Sequence, residues 1–201
     1  MKSKISLPWS LIILVVAGII CSATIIFFTR GFHLSPSLSI SNPVPQNTPS
    51  VRAKLPVRLV IPTIHVDAII EDVGLTSQGA MAVPAGPADV AWFDLGPRPG
   101  ENGSAVIAGH EGWKDGVLAV FDNLYQLRIG DKIYIKDAQD ATTTFVVSAV
   151  QTYDQNADAA KVFNSNDGKA HLNLVTCEGT WNATEKSYSN RLVVFTDRET
   201  K

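Results

Sequence analysis

The sequence is poor in cysteine, with two in 201 residues. Cys21 falls inside a long apolar run, so Cys177 has no partner elsewhere in the chain. A framework of intrachain disulfides needs pairs and is excluded. An excess of either charge is also missing. Lys and Arg number 17 against 19 Asp and Glu, a formal net charge of −2 with a pI of about 6.1. Nucleic-acid binding calls for a strongly basic face, and no nucleic-acid partner is expected. No internal repeat is present, and no Gly-rich loop of the kind that cradles phosphates. The acids do not gather either. Glu101, Glu111 and Asp115 are scattered loop acids, read as solvated, and no metal site or cofactor is expected.

The chain does contain one long hydrophobic run. Trp9 to Phe28 reads WSLIILVVAGIICSATIIFF, without a charge. About 20 apolar residues in a helix cross a bilayer core, so residues 9–28 read as a transmembrane anchor. Lys2 and Lys4 precede it, which puts residues 1–8 in the cytoplasm by the positive-inside rule. The preference is modest, since Arg30, Arg52 and Lys54 lie on the far side. A cleaved signal peptide is the rival reading, but its apolar core runs about 7–15 residues and this one continues through Phe28. Cys21 lacks the small residues that a lipidation site needs before it and reads as a packed thiol.

Residues 29–56 form a spacer rich in Pro and Ser. Residues 31–56 hold five of the eleven prolines. Such composition buries too little apolar surface to fold alone. His33 falls here without a neighbouring ligand. The remainder, 57–201, is an extracytoplasmic folded domain of a size that can bury a core.

Within that domain short apolar runs alternate with Gly, Pro, Asp and Asn. The period-two pattern predicts strands at 57–61, 66–70, 80–83, 90–93, 104–109, 131–136, 144–153, 171–176 and 191–196. Many short strands at this spacing indicate a mostly β barrel or sandwich. Two short helical stretches fit between them. One, at 118–127, would place Leu118, Phe121, Leu124 and Tyr125 on one face; the other, at 156–163, is weaker. Gly-Pro-Arg-Pro-Gly at 96–100 is a turn.

A solitary thiol outside the membrane is reactive, bridged to another molecule, or buried and inert. A cysteine nucleophile needs nearby positive charge to favour the thiolate, an acid for the leaving group and donors for the oxyanion. His171 shares the strand of Cys177 but stands six residues away, roughly 20 Å at about 3.3 Å per residue. His65 sits at a strand entry beside Ile64 and Val66, without a nearby Gly to shape a site. His110 closes the strand 104–109 and opens the loop His110-Glu111-Gly112-Trp113, where catalytic side chains commonly sit. Arg191 opens the last strand within reach of the segment after Cys177. On these grounds alone a surface histidine and a solvated arginine remain the bland alternatives.

The segments AVIAGH (105–110), LVTCEG (174–179) and SNRLVVF (189–195) together resemble the three signature segments of sortases, cysteine transpeptidases of bacterial cell surfaces. VRLVIPTIHVDAIIEDVG (57–74) is similar to the opening strands of a sortase domain. The likeness runs from Val57 to Thr196. It implies a closed eight-stranded β-barrel with short helices, here preceded by one N-terminal transmembrane helix. It implies Cys177 as nucleophile, His110 as general acid and then base, and Arg191 as the residue that steadies the oxyanion. The expected substrate is a Leu-Pro-x-Thr-Gly sorting signal cut between Thr and Gly, with an amine of peptidoglycan or of a pilin as acceptor.

Thr176 matches the family's Thr-Cys pair and is either a hydrogen-bond donor or a plain strand residue. Trp113 and Trp181 are candidates for lining a substrate groove, whereas Trp92 reads as core. The short stretch between Cys177 and Arg191 resembles the compact class E and class F sortases. Two rivals stay in view. One is another exported cysteine enzyme of the cell wall, although the Ser-His-Gly-Cys run of L,D-transpeptidases is absent and papain-like enzymes place Cys before His. The other is a non-enzymatic tethered β-domain with Cys177 in its core.

Overall fold

The computed structural model describes residues 54–184 and 187–200. The expected anchor at 9–28 and nearly all of the spacer lie outside the described residues. Among those described, no helix is long and apolar enough to cross a membrane.

Eight strands close into a barrel: β1 (Pro56–Ile61), β2 (Val66–Val73), β3 (Val90–Phe93), β4 (Gly103–Gly109), β5 (Lys132–Asp137), β6 (Thr142–Asp154), β7 (Ala170–Asn182) and β8 (Ser187–Arg198). Their order around the barrel is β1-β2-β3-β4-β7-β8-β6-β5, and β5 pairs back onto β1. Closure leaves no open edge to recruit foreign strands. The β2–β3 and β4–β7 pairs are parallel and the others antiparallel. Parallel neighbours cannot be joined by a tight hairpin. The long excursion from β4 to β7 is therefore required by topology.

Period two sorts each strand into an inner and an outer face. Leu59, Ile61, Ile107, Ile133, Phe145, Leu172, Leu174 and Val194 fill the barrel, each fully buried. Burying one such side chain stabilises by about 1.5–3 kcal/mol. A second cluster lies on the outer face, where Val106, Val162 and Val193 pack with Phe93, Phe163, Val175 and Phe195. Its cover is α1 (Ala160–Phe163), one helical turn with Val162 buried. The buried Asn173 side chain donates to the Val162 carbonyl at 2.6 Å and pins this turn down. Burial on both faces explains why Leu192 to Phe195 is an unbroken apolar run.

Four expectations need correction. Residues 80–83 form no strand, only a single bridge from Leu75 to Met81. The stretch 118–127 is not a helix beyond a 3₁₀ turn at Leu124–Gln126. Phe121, Leu124 and Leu127 are buried while Leu118 and Tyr125 are exposed. The cause is local: the Asp122 carboxylate accepts from the Ala119 and Gly112 amides, which favours tight turns over a helical ladder. Third, Cys177 does not end its strand. β7 continues through a bulge after Glu178 to Asn182, with Gly179 at φ 90°. Fourth, β8 begins at Ser187, so Arg191 lies inside the strand. Trp92 is core as expected, 2% exposed, and its indole N–H donates to the Pro97 carbonyl at 3.1 Å.

Candidate active site

Parity decides which side chains meet. Leu172, Leu174 and Thr176 are the buried, inward set of β7, so Cys177 belongs to the outer set. Leu192 and Val194 point inward from β8, so Arg191 also belongs to the outer set. The same count places His110 there, since Ala105 and Ile107 are the inward residues of β4.

Register then brings these residues together. Cys177 is the direct partner of Arg191 across β7 and β8. Directly opposed residues of an antiparallel pair hold their Cβ atoms about 4.5–5.5 Å apart. On the other side, β4 pairs with β7 with Ala108 opposite Val175. Two further steps in that register set His110 beside Cys177. The extension of that register sets the thiol of β7 between the imidazole that follows β4 and the guanidinium of β8, and all three line one cleft.

The seat of His110 is well defined. Thr176 is buried and its hydroxyl donates to the Gly109 carbonyl at 2.8 Å, tying the end of β4 to β7. Thr176 is thus a hydrogen-bond donor within the scaffold and does not line the cleft. Gly109 is packed against Phe121, and a Cβ there would overlap the Phe121 ring. The Phe121 amide donates to the His110 carbonyl at 3.0 Å. The His110 Nε2 lies 2.9 Å from the Pro84 carbonyl oxygen. A carbonyl only accepts, so Nε2 carries a proton and Nδ1 is the nitrogen left for proton exchange. The Trp113 ring packs edge-on against the imidazole at 4.7 Å between centroids.

Arg191 is held by three acceptors. Its Nη1 donates to the Tyr188 and Asn190 carbonyls at 3.0 and 2.8 Å, and its Nη2 to the Ser187 hydroxyl at 3.2 Å. A guanidinium has five N–H groups, so two remain for a substrate.

An open cleft of about 800 Å³ runs over these residues. Trp113 and Trp181 both line it, with Glu111, Lys114 and Tyr188. Trp181 and Tyr188 pack edge-on at 5.2 Å. Two aromatic-ring pairs, His110–Trp113 and Trp181–Tyr188, therefore line the cleft that holds the thiol. Of the other histidines, His65 takes a left-handed backbone (φ 57°) outside the cleft, and His171 is bound between Asp167 and Asp197.

The electrostatics of the thiol combine three effects. Burial pushes the Cys177 thiol above its ordinary value, Arg191 pulls it back, and Glu111 adds to the rise. Glu111 is not the solvated loop acid expected. Its Oε2, like that of Glu178, is buried without a hydrogen-bond partner. Burial raises its pKa first, and the neighbouring Glu178 and Asp122 raise it further. No signal in the sequence marked Glu111, Ser187 or Tyr188. Their places depend on pairings across β4, β7 and β8 that local pattern does not encode. Among the described residues no group of His, Cys, Asp and Glu is arranged to hold a metal ion.

A closed barrel that sets one partly buried thiol between an imidazole and a guanidinium defines a cysteine acyl-transfer enzyme. Comparison with known proteins agrees. The sortase domain model matches residues 59–199, well over half of the chain, and the chain belongs to the sortase family of cysteine transpeptidases. Among solved structures it is similar to sortase C-1 from Actinomyces oris, 25% identical, with a TM-score of 0.54, 72% of this chain and 73% of that one covered. Sortase A from Corynebacterium diphtheriae is 26% identical, with a TM-score of 0.56 over 75% of this chain and 64% of that one. The sortase D5 transpeptidase from Clostridium perfringens, 21% identical with a TM-score of 0.53 over 72% of this chain and 79% of that one, shares the fold. Among curated protein sequences none matches this chain. Sortases are extracytoplasmic enzymes that act on sorting signals.

Proposed function

We propose that this chain is a membrane-anchored sortase that cuts a Leu-Pro-x-Thr-Gly type signal between Thr and Gly and passes the acyl group to a cell-wall or pilin amine. The observation that carries this reading is that Cys177 on β7, its register partner Arg191 on β8 and His110 just past the end of β4 line one cleft. The anchor is residues 9–28, with 1–8 cytoplasmic, 29–56 as spacer and 57–201 as the extracytoplasmic catalytic domain. The short stretch between Cys177 and Arg191 supports the compact class E or class F kind, because most of it is strand, with β7 running to Asn182 and β8 starting at Ser187.

The chemistry follows from the atoms present. The Cys177 thiol passes its proton to His110 Nδ1 as the sulfur attacks the Thr carbonyl carbon, and the carbonyl oxygen takes up the negative charge. The two uncommitted N–H groups of Arg191 stabilise that oxyanion. The C–N bond to Gly breaks as His110 Nδ1 delivers a proton to the departing amine. A thioester on Cys177 remains. The acceptor amine attacks it, His110 takes a proton from the amine, and the thiol is released. Trp113, Trp181 and Tyr188 hold the signal's apolar side chains along the cleft, while Thr176 fixes the seat of His110.

The test uses the full chain in detergent with peptides carrying Leu-Pro-x-Thr-Gly or Leu-Ala-x-Thr-Gly, with and without hydroxylamine, read by mass. Cleavage between Thr and Gly, or a thioacyl adduct that disappears in Cys177→Ala, is the expected result. A folded chain that alkylates at Cys177 yet neither cleaves nor forms an adduct overturns this choice of substrate.

A further inference from the structure

We infer that Ser187 and Gln155 are positioning residues that hold the Arg191 guanidinium in its working orientation. The inference rests on the reading of Arg191 given above. A flexible arginine carries about 2 kcal/mol of rotamer entropy, so useful orientation has to come from fixed acceptors. Two acceptors are backbone carbonyls, those of Tyr188 and Asn190, and both bind Nη1. Bonds to one nitrogen leave the plane of the guanidinium poorly fixed. The third acceptor, the Ser187 hydroxyl, binds Nη2 and completes the fork.

A serine hydroxyl is ambiguous by itself, since it donates one proton and accepts on two lone pairs. Here its direction is set. Ser187 Oγ lies 2.6 Å from Gln155 Oε1, an amide oxygen that only accepts. The hydroxyl proton goes there, and the lone pairs are left to face Arg191. A competing contact from Ser187 Oγ to the Tyr188 carbonyl is longer, at 3.3 Å. Gln155 is itself fastened to the same strand, because its backbone N–H donates to the Ser189 carbonyl at 3.0 Å. The relay thus runs from the end of β6, through the first residue of β8, to the guanidinium opposite Cys177.

The relay has a consequence for the thiol. Arg191 is the group that draws the Cys177 pKa down. A guanidinium released from Ser187 spends less time facing the sulfur and presents its remaining N–H groups less often.

The experiment uses the full chain in detergent and two readouts, iodoacetamide alkylation of Cys177 against pH and steady-state cleavage of the sorting peptide. In Ser187→Ala, alkylation at neutral pH slows by up to about twofold, because the Arg191 charge stays but faces the sulfur for less of the time. Cleavage kcat falls about tenfold while KM stays within about twofold, the pattern of a lost transition-state contact. Ser187→Thr restores the hydroxyl and both values. Gln155→Ala shifts both in the same direction by a smaller factor. Ser187→Ala and Gln155→Ala proteins with wild-type Tm whose alkylation profiles superimpose on the wild type overturn the relay. Alkylation needs no sorting peptide, so the two readings fail separately. A chain that cleaves no signal but alkylates more slowly in Ser187→Ala refutes the substrate and supports the relay.

Discussion

Cys177 and Arg191 are direct register partners across β7 and β8. The pairing fixes their proximity through the backbone, and the guanidinium is then held by the Tyr188 and Asn190 carbonyls and the Ser187 hydroxyl. Arg191→Ala is expected to lower kcat/KM at least 100-fold, about 3 kcal/mol, the scale of losing an oxyanion donor. It also raises the thiol pKa, because the Arg191 charge is the influence that lowers it. Arg191→Lys keeps the charge but not the fork. An ammonium cannot reach all three acceptors and still offer two donors to the substrate. Steady-state kinetics should therefore show the Lys variant nearer to Ala than to wild type. Full activity in the Lys variant would show that charge alone is the requirement.

Glu111 works against Arg191 at the thiol. Its negative charge raises the Cys177 pKa, and its own pKa is raised by burial and by Glu178 and Asp122. Glu111→Gln is expected to lower the thiol pKa and speed alkylation about twofold at neutral pH, as removal of one partly screened like charge requires. The sign reverses nowhere, but the difference has a limit. As the wild-type carboxylate takes up its proton in acid, the charge disappears and the two alkylation curves converge. Parallel curves at every pH would assign the effect to shape instead of charge.

The sequence carried the outer skeleton of this result in plain view. Strand positions such as β5 were legible because Ile133 and Ile135 alternate with Lys132, Tyr134 and Lys136. That His110, Cys177 and Arg191 would meet at one cleft was legible because each closes or interrupts an apolar strand within a recognisable segment. Strand length near the site was not legible. The β7–β8 hairpin runs on through Glu178 to Asn182 and Ser187 to Asn190, where Trp181 and Tyr188 are the only large apolar side chains and no period-two hydrophobic pattern marks the strands. Nor was 118–127, whose apolar spacing imitates a helix while the Asp122 side chain enforces turns. Ser187 and Gln155, 32 residues apart, meet only because β6 and β8 are neighbours in the barrel. Such meetings follow from non-local pairing and not from local propensity.

Gly109 tests how tightly the seat of His110 is built. It immediately precedes His110, its carbonyl is bound by Thr176, and a methyl group there would overlap the buried Phe121 ring. Phe121 is 1% exposed and belongs to the barrel core, so it has little space to yield. Gly109→Ala is expected to cost about 1–3 kcal/mol by overpacking. The strain falls on the turn that carries the imidazole, so kcat should drop by more than the loss of stability explains at a temperature where the variant remains folded. Gly109→Ala combined with Phe121→Leu opens space for the methyl group and should recover part of both. Thermal unfolding and kinetics on the single and double variants decide the matter. Two additive losses would place the two residues in separate structural roles.

His171, near the start of β7 and six residues before the thiol, gives the domain a pH-dependent brace. Its Nδ1 lies 2.9 Å from Asp197 and its Nε2 3.0 Å from Asp167, so both ring nitrogens face carboxylates. Burial alone would lower its pKa, but the bonds and charges of Asp167 and Asp197 outweigh it and the net shift is upward. A raised pKa means that the folded state holds the proton more tightly than the unfolded chain. The added stability is complete below the ordinary histidine value of about 6.5 and is lost as pH rises through the higher folded value. Asp167 moves the other way, held well below the usual carboxylate range chiefly by the His171 hydrogen bond. Its contribution is present above the ordinary aspartate value of about 3.9 and fades as pH falls through the folded one. The brace is therefore strongest at about pH 5, between the two ordinary values. His171→Gln preserves size and hydrogen bonding but not the positive charge. The Tm gap between wild type and His171→Gln should be widest near that pH and narrow steadily toward alkaline pH. A gap of constant size from pH 5 to 9 would mean that His171 braces β7 by packing alone.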